Sequence, residues 1–158
     1  MTDRAQALEV LQPVLKVVAG IDPADPMAAD KLNAALPLDG ETMRAVAARI
    51  VDGVQNGSLV PREAGGVRFG RVAKPTELSH GLSIDVVDMD GPGPGHRHPN
   101  GEIDLSFVLD GSPTFDGQAP GWLVMAPDSW HVPTVAGGRM AIVYFLPDGA
   151  IEFGPRPA

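Results

Sequence analysis

Apolar residues in the first sixty positions recur at three- and four-residue spacing, whereas from Val67 onward they come in short alternating runs. Leu8, Leu11, Val14, Leu15 and Val18 make one stripe, which predicts an amphipathic helix that Pro13 should kink or divide. A second helix is expected from Pro26 to Leu36, with Asp25 as its N-cap. A third is expected from Gly40 to Val54, presenting Met43, Val46, Ile50 and Val54 on one face, with Gly57 shortly past its end. Stripes of this kind read as faces packed on a core.

The second region predicts strands at Val67–Val72, Leu82–Met89, Ile103–Leu109, Trp122–Ala126, Val132–Val135, Met140–Leu146 and Ile151–Phe153. PGPG, DGSP, DGQAPG, PDS, AGG and PDG separate them, each with turn chemistry. Glycine and proline number eight in residues 1–60 and twenty-seven in 61–158, which fits the same division. The fold class expected is mainly β: an antiparallel barrel or sandwich (61–158) with an N-terminal helical segment (1–60) packed on it, one compact domain overall. The helices would cover an open sheet face or a dimer surface.

Composition narrows the function. Twelve Lys and Arg against twenty Asp and Glu leave a net charge of −8, which repels phosphate backbones and anionic membranes, so no nucleic-acid or membrane partner is expected. Cysteine is absent, which excludes thiolate chemistry, disulfides and iron–sulfur clusters. No run approaches the ~18 apolar residues of a membrane span. The first twenty residues mix charges with Pro13 and lack a small-residue cleavage pattern, so a cytoplasmic protein is expected.

Candidate chemistry is concentrated in GPGPGHRHPNGE. In an extended segment His96 and His98 project to one face, and Glu102, across the turn-like Pro99-Asn100-Gly101, can return a carboxylate to the same point. His131, in APDSWH, completes a set of three imidazoles and a carboxylate adequate for a divalent first-row metal: iron, manganese, nickel, cobalt or zinc. Strand alternation then turns Asp104, Ser106 and Val108 inward with Glu102, while Ile103, Leu105, Phe107 and Leu109 face the other way. Asp104 is either a catalytic carboxylate or a partner that orients a liganding histidine. His80 is a second candidate proton-transfer group. Arg97, between the two histidines, points outward. Arg68, Arg71, Lys74 and Arg139 are candidates to hold a substrate carboxylate, with Arg71 and Arg139 carried forward. Tyr144 and Trp130 are candidate substrate contacts, although alternation turns Trp130 away from His131. Gly91, Gly93 and Gly95 are interrupted by prolines and make no dinucleotide fingerprint.

The H-x-H-x3-E run, followed by G-x5-P-x3-H at Gly121, Pro127 and His131, resembles the two metal motifs of the cupin barrel over roughly residues 65–155. It departs from them in a longer gap between Glu102 and Gly111, in Asp128 where glycine is usual, and in Val135 where asparagine is frequent. More narrowly, HPNGEIDLSFVLDGSPTFDG, then GW and HVPTVAGGRMAIVYFLPDGAIEF, is similar to the bacterial 4-hydroxylaminobenzoate lyases. That resemblance implies a lyase of nitroaromatic degradation converting 4-hydroxylaminobenzoate and water to 3,4-dihydroxybenzoate and ammonia. It also implies a divalent ion on His96, His98, Glu102 and His131 acting as a Lewis acid, with a proton from Asp104 or His80. A homodimer is expected. The alternatives are a cupin dioxygenase or isomerase acting on an aromatic acid, and a ligand-binding cupin without enzymatic activity.

Overall fold

The computed structural model describes residues 1–158. Three helices precede nine strands. Helix α1 spans Arg4–Val18, α2 Ala28–Ala35 and α3 Glu41–Gln55. Asp3 caps α1 in a capping box with Gln6, each side chain bonding the other's backbone N–H. Pro13 does not divide this helix, which runs through it as one element. The carbonyl it leaves without a donor belongs to Glu9 on the exposed side, where water can replace the lost bond. Helix α2 starts later than expected: Asp25 accepts from Met27 N at 2.8 Å and so shapes the turn before the helix rather than capping it. Helix α3 buries Met43, Val46, Ile50 and Val54, as its periodicity predicts.

Six antiparallel strands form one sheet in the order β1 (Arg62–Ala64), β2 (Val67–Ala73), β3 (Leu82–Met89), β8 (Val135–Pro147), β5 (Glu102–Phe115) and β6 (Gly121–Met125). A smaller sheet has the order β7 (Ser129–His131), β4 (His96–His98), β9 (Glu152–Phe153). The architecture is therefore an open antiparallel sandwich carrying N-terminal helices, not a closed barrel.

Two expected turns turn out to be strand. DGSP and AGG lie opposite one another within β5 and β8, pairing Asp110 with Arg139 and Gly111 with Gly138, with the register shifting on both sides. Gly111 and Gly137 have φ of 74° and 83°, and a Cβ on Gly111 would lie 2.8 Å from the Gly137 carbonyl. These glycines are the kinks of a long bent ribbon, where a side chain would prise the strands apart. The run Val132–Val135 is likewise not a separate strand: β7 lies just before it, and Val135 opens β8.

One core joins helices and sheet. Leu11, Leu15, Val46 and Ile50 of the helices pack with Ile84, Val86, Ile103, Leu105, Phe107 and Val143 of the strands. The outer row of β5 thus lies beneath the chain's own helices, so it needs no partner subunit to cover it. Trp122 ties this layer to the sheet edge by donating its indole N–H to the Leu36 carbonyl at the end of α2, 3.1 Å away. The opposite face of the large sheet carries a second, smaller apolar cluster, including Val87, Met89, Phe115 and Ile142, and looks toward the small sheet.

Candidate metal centre

The space between the two sheets receives ligand-capable side chains from three segments. Strands β4 and β7 pair so that His96 lies opposite His131 and Arg97 opposite Trp130. Alternation then sends His96, His98 and His131 inward and Arg97 and Trp130 outward. After His98 the chain reverses at Gly101, whose φ is 83° and where a Cβ would strike Pro23. Glu102 then opens β5 from the facing sheet. His96, His98, Glu102 and His131 each contribute a ligand-capable atom, and these atoms lie within 4.8 Å of one another. His98 and Glu102 are fully buried.

Hydrogen bonds decide which ring nitrogens face the centre. His96 Nδ1 donates to the Pro94 carbonyl at 3.0 Å. His131 Nδ1 donates to the Asp116 carboxylate at 2.6 Å, whose other oxygen takes the Thr134 N–H. His98 Nδ1 lies 3.0 Å from the Ser129 hydroxyl, and that hydroxyl spends its proton on the Ala126 carbonyl, so it accepts from the imidazole. All three Nδ1 atoms therefore carry hydrogen, and all three Nε2 atoms aim lone pairs inward. Nε2 of His96 stands 3.2 Å from that of His131 and 3.1 Å from Glu102 Oε2; Nε2 of His98 is 2.8 Å from the same oxygen. His98 Nε2 and Glu102 Oε1 have no hydrogen-bond partner although both are buried. A single proton satisfies one pair of these acceptors, whereas a divalent cation satisfies all four. The donor set therefore fits such an ion, held by three imidazoles with hydrogen-bonded backs.

Titration follows the same geometry. Burial alone would raise the Glu102 carboxyl, but the imidazoles of His96 and His98, with Asp104 beside it, hold it below the usual carboxylate range. Burial acts against a charged His96 imidazole, yet Glu102 outweighs it and raises that group. Asp104 is pushed well above the carboxylate range, first by burial and then by the negative charge of Glu102. Both its oxygens are buried without hydrogen-bond partners. Burial, then the charges of Asp104 and Glu102, raise the Tyr144 phenol well above its ordinary value, so it stays a donor.

A cavity of about 910 Å³ opens beside this cluster, with His96, Glu102 and Tyr144 in its wall. Phe153 of β9 stands over it, its ring centroid 5.6 Å from that of His96. Arg71 lines the same cavity, paired with Asp85 at 2.9 Å.

Three expected site residues lie elsewhere. Arg139 shares the sheet face of Ala141 and Val143, on the helix side, and its guanidinium pairs at 2.6 Å with buried Asp88, which also holds Arg68. It is committed to bracing β8 against β3. Trp130 points outward, donating to the Gly154 carbonyl at 2.9 Å with Arg156 over its ring. His80 is exposed in a turn at φ 55°, beside a separate cavity of about 250 Å³ with Ile21, Asn100 and Pro147. A left-handed turn before β3 carries it away from the cluster.

Sequence reasoning missed Asp116 and Ser129, which orient His131 and His98. Both stand in segments, DGQAPG and PDS, that read only as turns. The departure at Asp128 has a conformational account: its φ is 66°, a left-handed position natural to glycine and tolerated by aspartate, and its carboxylate pairs with Arg97. Alternation along β5 places Glu102, Asp104 and Ser106 inward, but Val108 is 45% exposed because the ribbon bends there.

The chain is 32% identical over 136 residues to a 4-hydroxylaminobenzoate lyase of Nocardioides sp. (strain LMS-CY), covering 80% of each chain. It is 30% identical over 133 residues to a 4-hydroxylaminobenzoate lyase of Pseudomonas putida, covering 73% of this chain and 76% of that one. An RmlC-like cupin protein from Ralstonia eutropha JMP134 superposes with a TM-score of 0.44 at 14% identity, covering 58% of this chain and 62% of the other. The family described as PnbB: 4-hydroxylaminobenzoate lyase matches residues 9–153. With that match and two relatives of nearly its own length, the chain belongs to the 4-hydroxylaminobenzoate lyase family.

Proposed function

We propose that this protein converts 4-hydroxylaminobenzoate and water to 3,4-dihydroxybenzoate and ammonia, using one divalent metal ion held by His96, His98, Glu102 and His131. The observation that carries the reading is the convergence of three Nε2 lone pairs and a carboxylate on one buried point beside a cavity. Family membership supports the substrate class.

When bound, the ion supplies a Lewis acid for cleavage of the N–O bond. The remaining work falls to the chain. Tyr144 stays protonated and offers its O–H as a donor to the substrate within the cavity wall. Asp104, one strand repeat from Glu102 and with both oxygens unpartnered, holds the proton that the departing hydroxyl takes. The cavity's largely apolar wall surrounds the electron-poor ring, and water adds at the ring carbon beside the one that bears nitrogen, which leaves that nitrogen as an imine. Hydrolysis of the resulting imine releases ammonia. The overall change is redox-neutral, so no oxidant is consumed.

The reading includes a homodimer in the cytoplasm. Val108, Val132 and Phe153 are exposed apolar side chains available to such a contact, since the outer row of β5 is covered within the chain. No helix is long and apolar enough to cross a membrane.

The test is an assay of ammonia and 3,4-dihydroxybenzoate from 4-hydroxylaminobenzoate under nitrogen. Stoichiometric release of both products without oxygen is the expected result. Turnover that requires oxygen, or no turnover by the metal-loaded protein, contradicts the proposal.

A further inference from the structure

Charge is unevenly distributed around the cavity. Four of the chain's twelve basic residues (Arg4, Arg62, Arg71 and Lys74) line it, against only Asp85 and Glu102 of its twenty acidic ones. Around this one opening the lining of an acidic protein carries more basic than acidic residues, which favours small anions at its basic side.

The strand register adds direction. Asp104 of β5 pairs with Tyr144 of β8, Tyr144 with Asp85 of β3, and Asp85 with Arg71 of β2. These four residues form a single cross-strand row running from the metal-ligand cluster to the basic side of the cavity. Three strand steps of roughly 4.8 Å place the backbones at the two ends of the row about 14 Å apart. Side chains reach inward from both ends. The span accommodates a benzene ring with one reacting group near Glu102 and an anionic group para to it. Arg71 donates Nε to Asp85 at 2.9 Å. Its Nη1 makes no hydrogen bond to the chain, and its Nη2 makes only a long one of 3.5 Å to Asp85, so donors remain for a carboxylate.

We infer that Arg71, braced by Asp85, is the specificity-determining residue that binds the carboxylate of the aromatic substrate, at the end of the row remote from the metal ligands. This deepens, and rests on, the proposed lyase reading. Lys74, Arg62 and Arg4 supply the surrounding field that offsets Asp85.

The experiment compares 4-hydroxylaminobenzoate with hydroxylaminobenzene, which lacks the carboxylate, in the metal-loaded wild type, Arg71→Met and Arg71→Lys. Loss of charge-assisted bonds predicts that Arg71→Met lowers kcat/KM for the acid by about 100-fold, chiefly through KM, and leaves that for hydroxylaminobenzene at the wild-type value. Arg71→Lys should recover part of the loss. In parallel, calorimetry should show 4-aminobenzoate binding weakened by Arg71→Met while aniline binding is unchanged. Equal losses on both substrates, or on neither, overturn the inference. If the wild type releases ammonia from neither substrate, the lyase reading fails. The 4-aminobenzoate titration still decides the carboxylate site, because unchanged binding in Arg71→Met overturns it.

Discussion

Two faces of one strand divide the work of this molecule. On β5, Ile103, Leu105 and Phe107 are buried against helices, while Glu102, Asp104 and Ser106, the alternate residues, are buried on the opposite face. Water is excluded from both rows almost equally. On the helix face burial is favourable, because every side chain is apolar and contacts others. On the inner face burial is costly, because Glu102 Oε1 and both Asp104 oxygens have no partner in the chain. A fold stabilised by the first row can carry the second as a preorganised, underprovided set of ligands. The lesson is that stability and chemistry are separated here by one step of strand alternation.

Changes on the inner face should not behave like core changes. The largest effect expected is for His98→Ala, which removes a ligand from a buried set. Ammonia release should fall by at least about a thousandfold, in keeping with the several kcal/mol a bound metal contributes to a transition state. The metal-free variant should melt no lower than the metal-free wild type, because three acceptors crowd less than four. Calorimetry of both metal-free forms checks this, and a large drop in Tm would merge the two faces. Next comes Leu105→Ala on the helix face, expected to cost about 3 kcal/mol in urea unfolding. Its metal content and its rate per folded molecule should match the wild type; loss of metal in the folded fraction would show that the faces are not independent.

A smaller effect sharpens the picture of the ligands' backs. Asp116→Asn keeps the shape but replaces the carboxylate that receives the His131 N–H. Metal affinity should fall by about 10- to 100-fold, measured by competition with a chelator, with little change in Tm. The smallest effect belongs to the rim of the helix layer, where Asp52 of α3 accepts from Thr2 N at 2.7 Å. Those bonds hold its carboxyl below the usual range. A depressed carboxylate gives stability above its unfolded value of about 4 and loses it as pH falls through the folded value. Asp52→Asn should therefore lower Tm slightly at neutral pH, with the difference closing in acid. A difference that persists in acid would remove the carboxylate's charge from the explanation.

Much of this was legible in the sequence, for physical reasons that also mark where legibility ends. The stripe of α3 and the strand Leu82–Met89 are local patterns that the structure keeps. His96, His98 and Glu102 lie close in sequence, and strand alternation with one reversal at Gly101 brings them together. His131 needed the second motif. Asp116, Ser129 and the Asp85–Arg71 pair were not legible, since their importance comes from register between strands distant in the chain. Arg139 was a candidate for its guanidinium fork alone; its AGGR reads as a turn, whereas it is strand, and alternation sends the side chain to the helix side. DGSP misled for the same reason. Both are sites where glycine serves the close approach of two backbones rather than reversal of the chain.

The proposed chemistry turns on one catalytic cation held by the four converging acceptors. It is tested most directly by stripping the protein with a chelator, then following ammonia release and bound metal together as manganese or cobalt is returned. Ammonia release should be absent at the start and recover linearly, ending at one ion per chain. Full activity in the stripped protein, or recovery without stoichiometric binding, would contradict it.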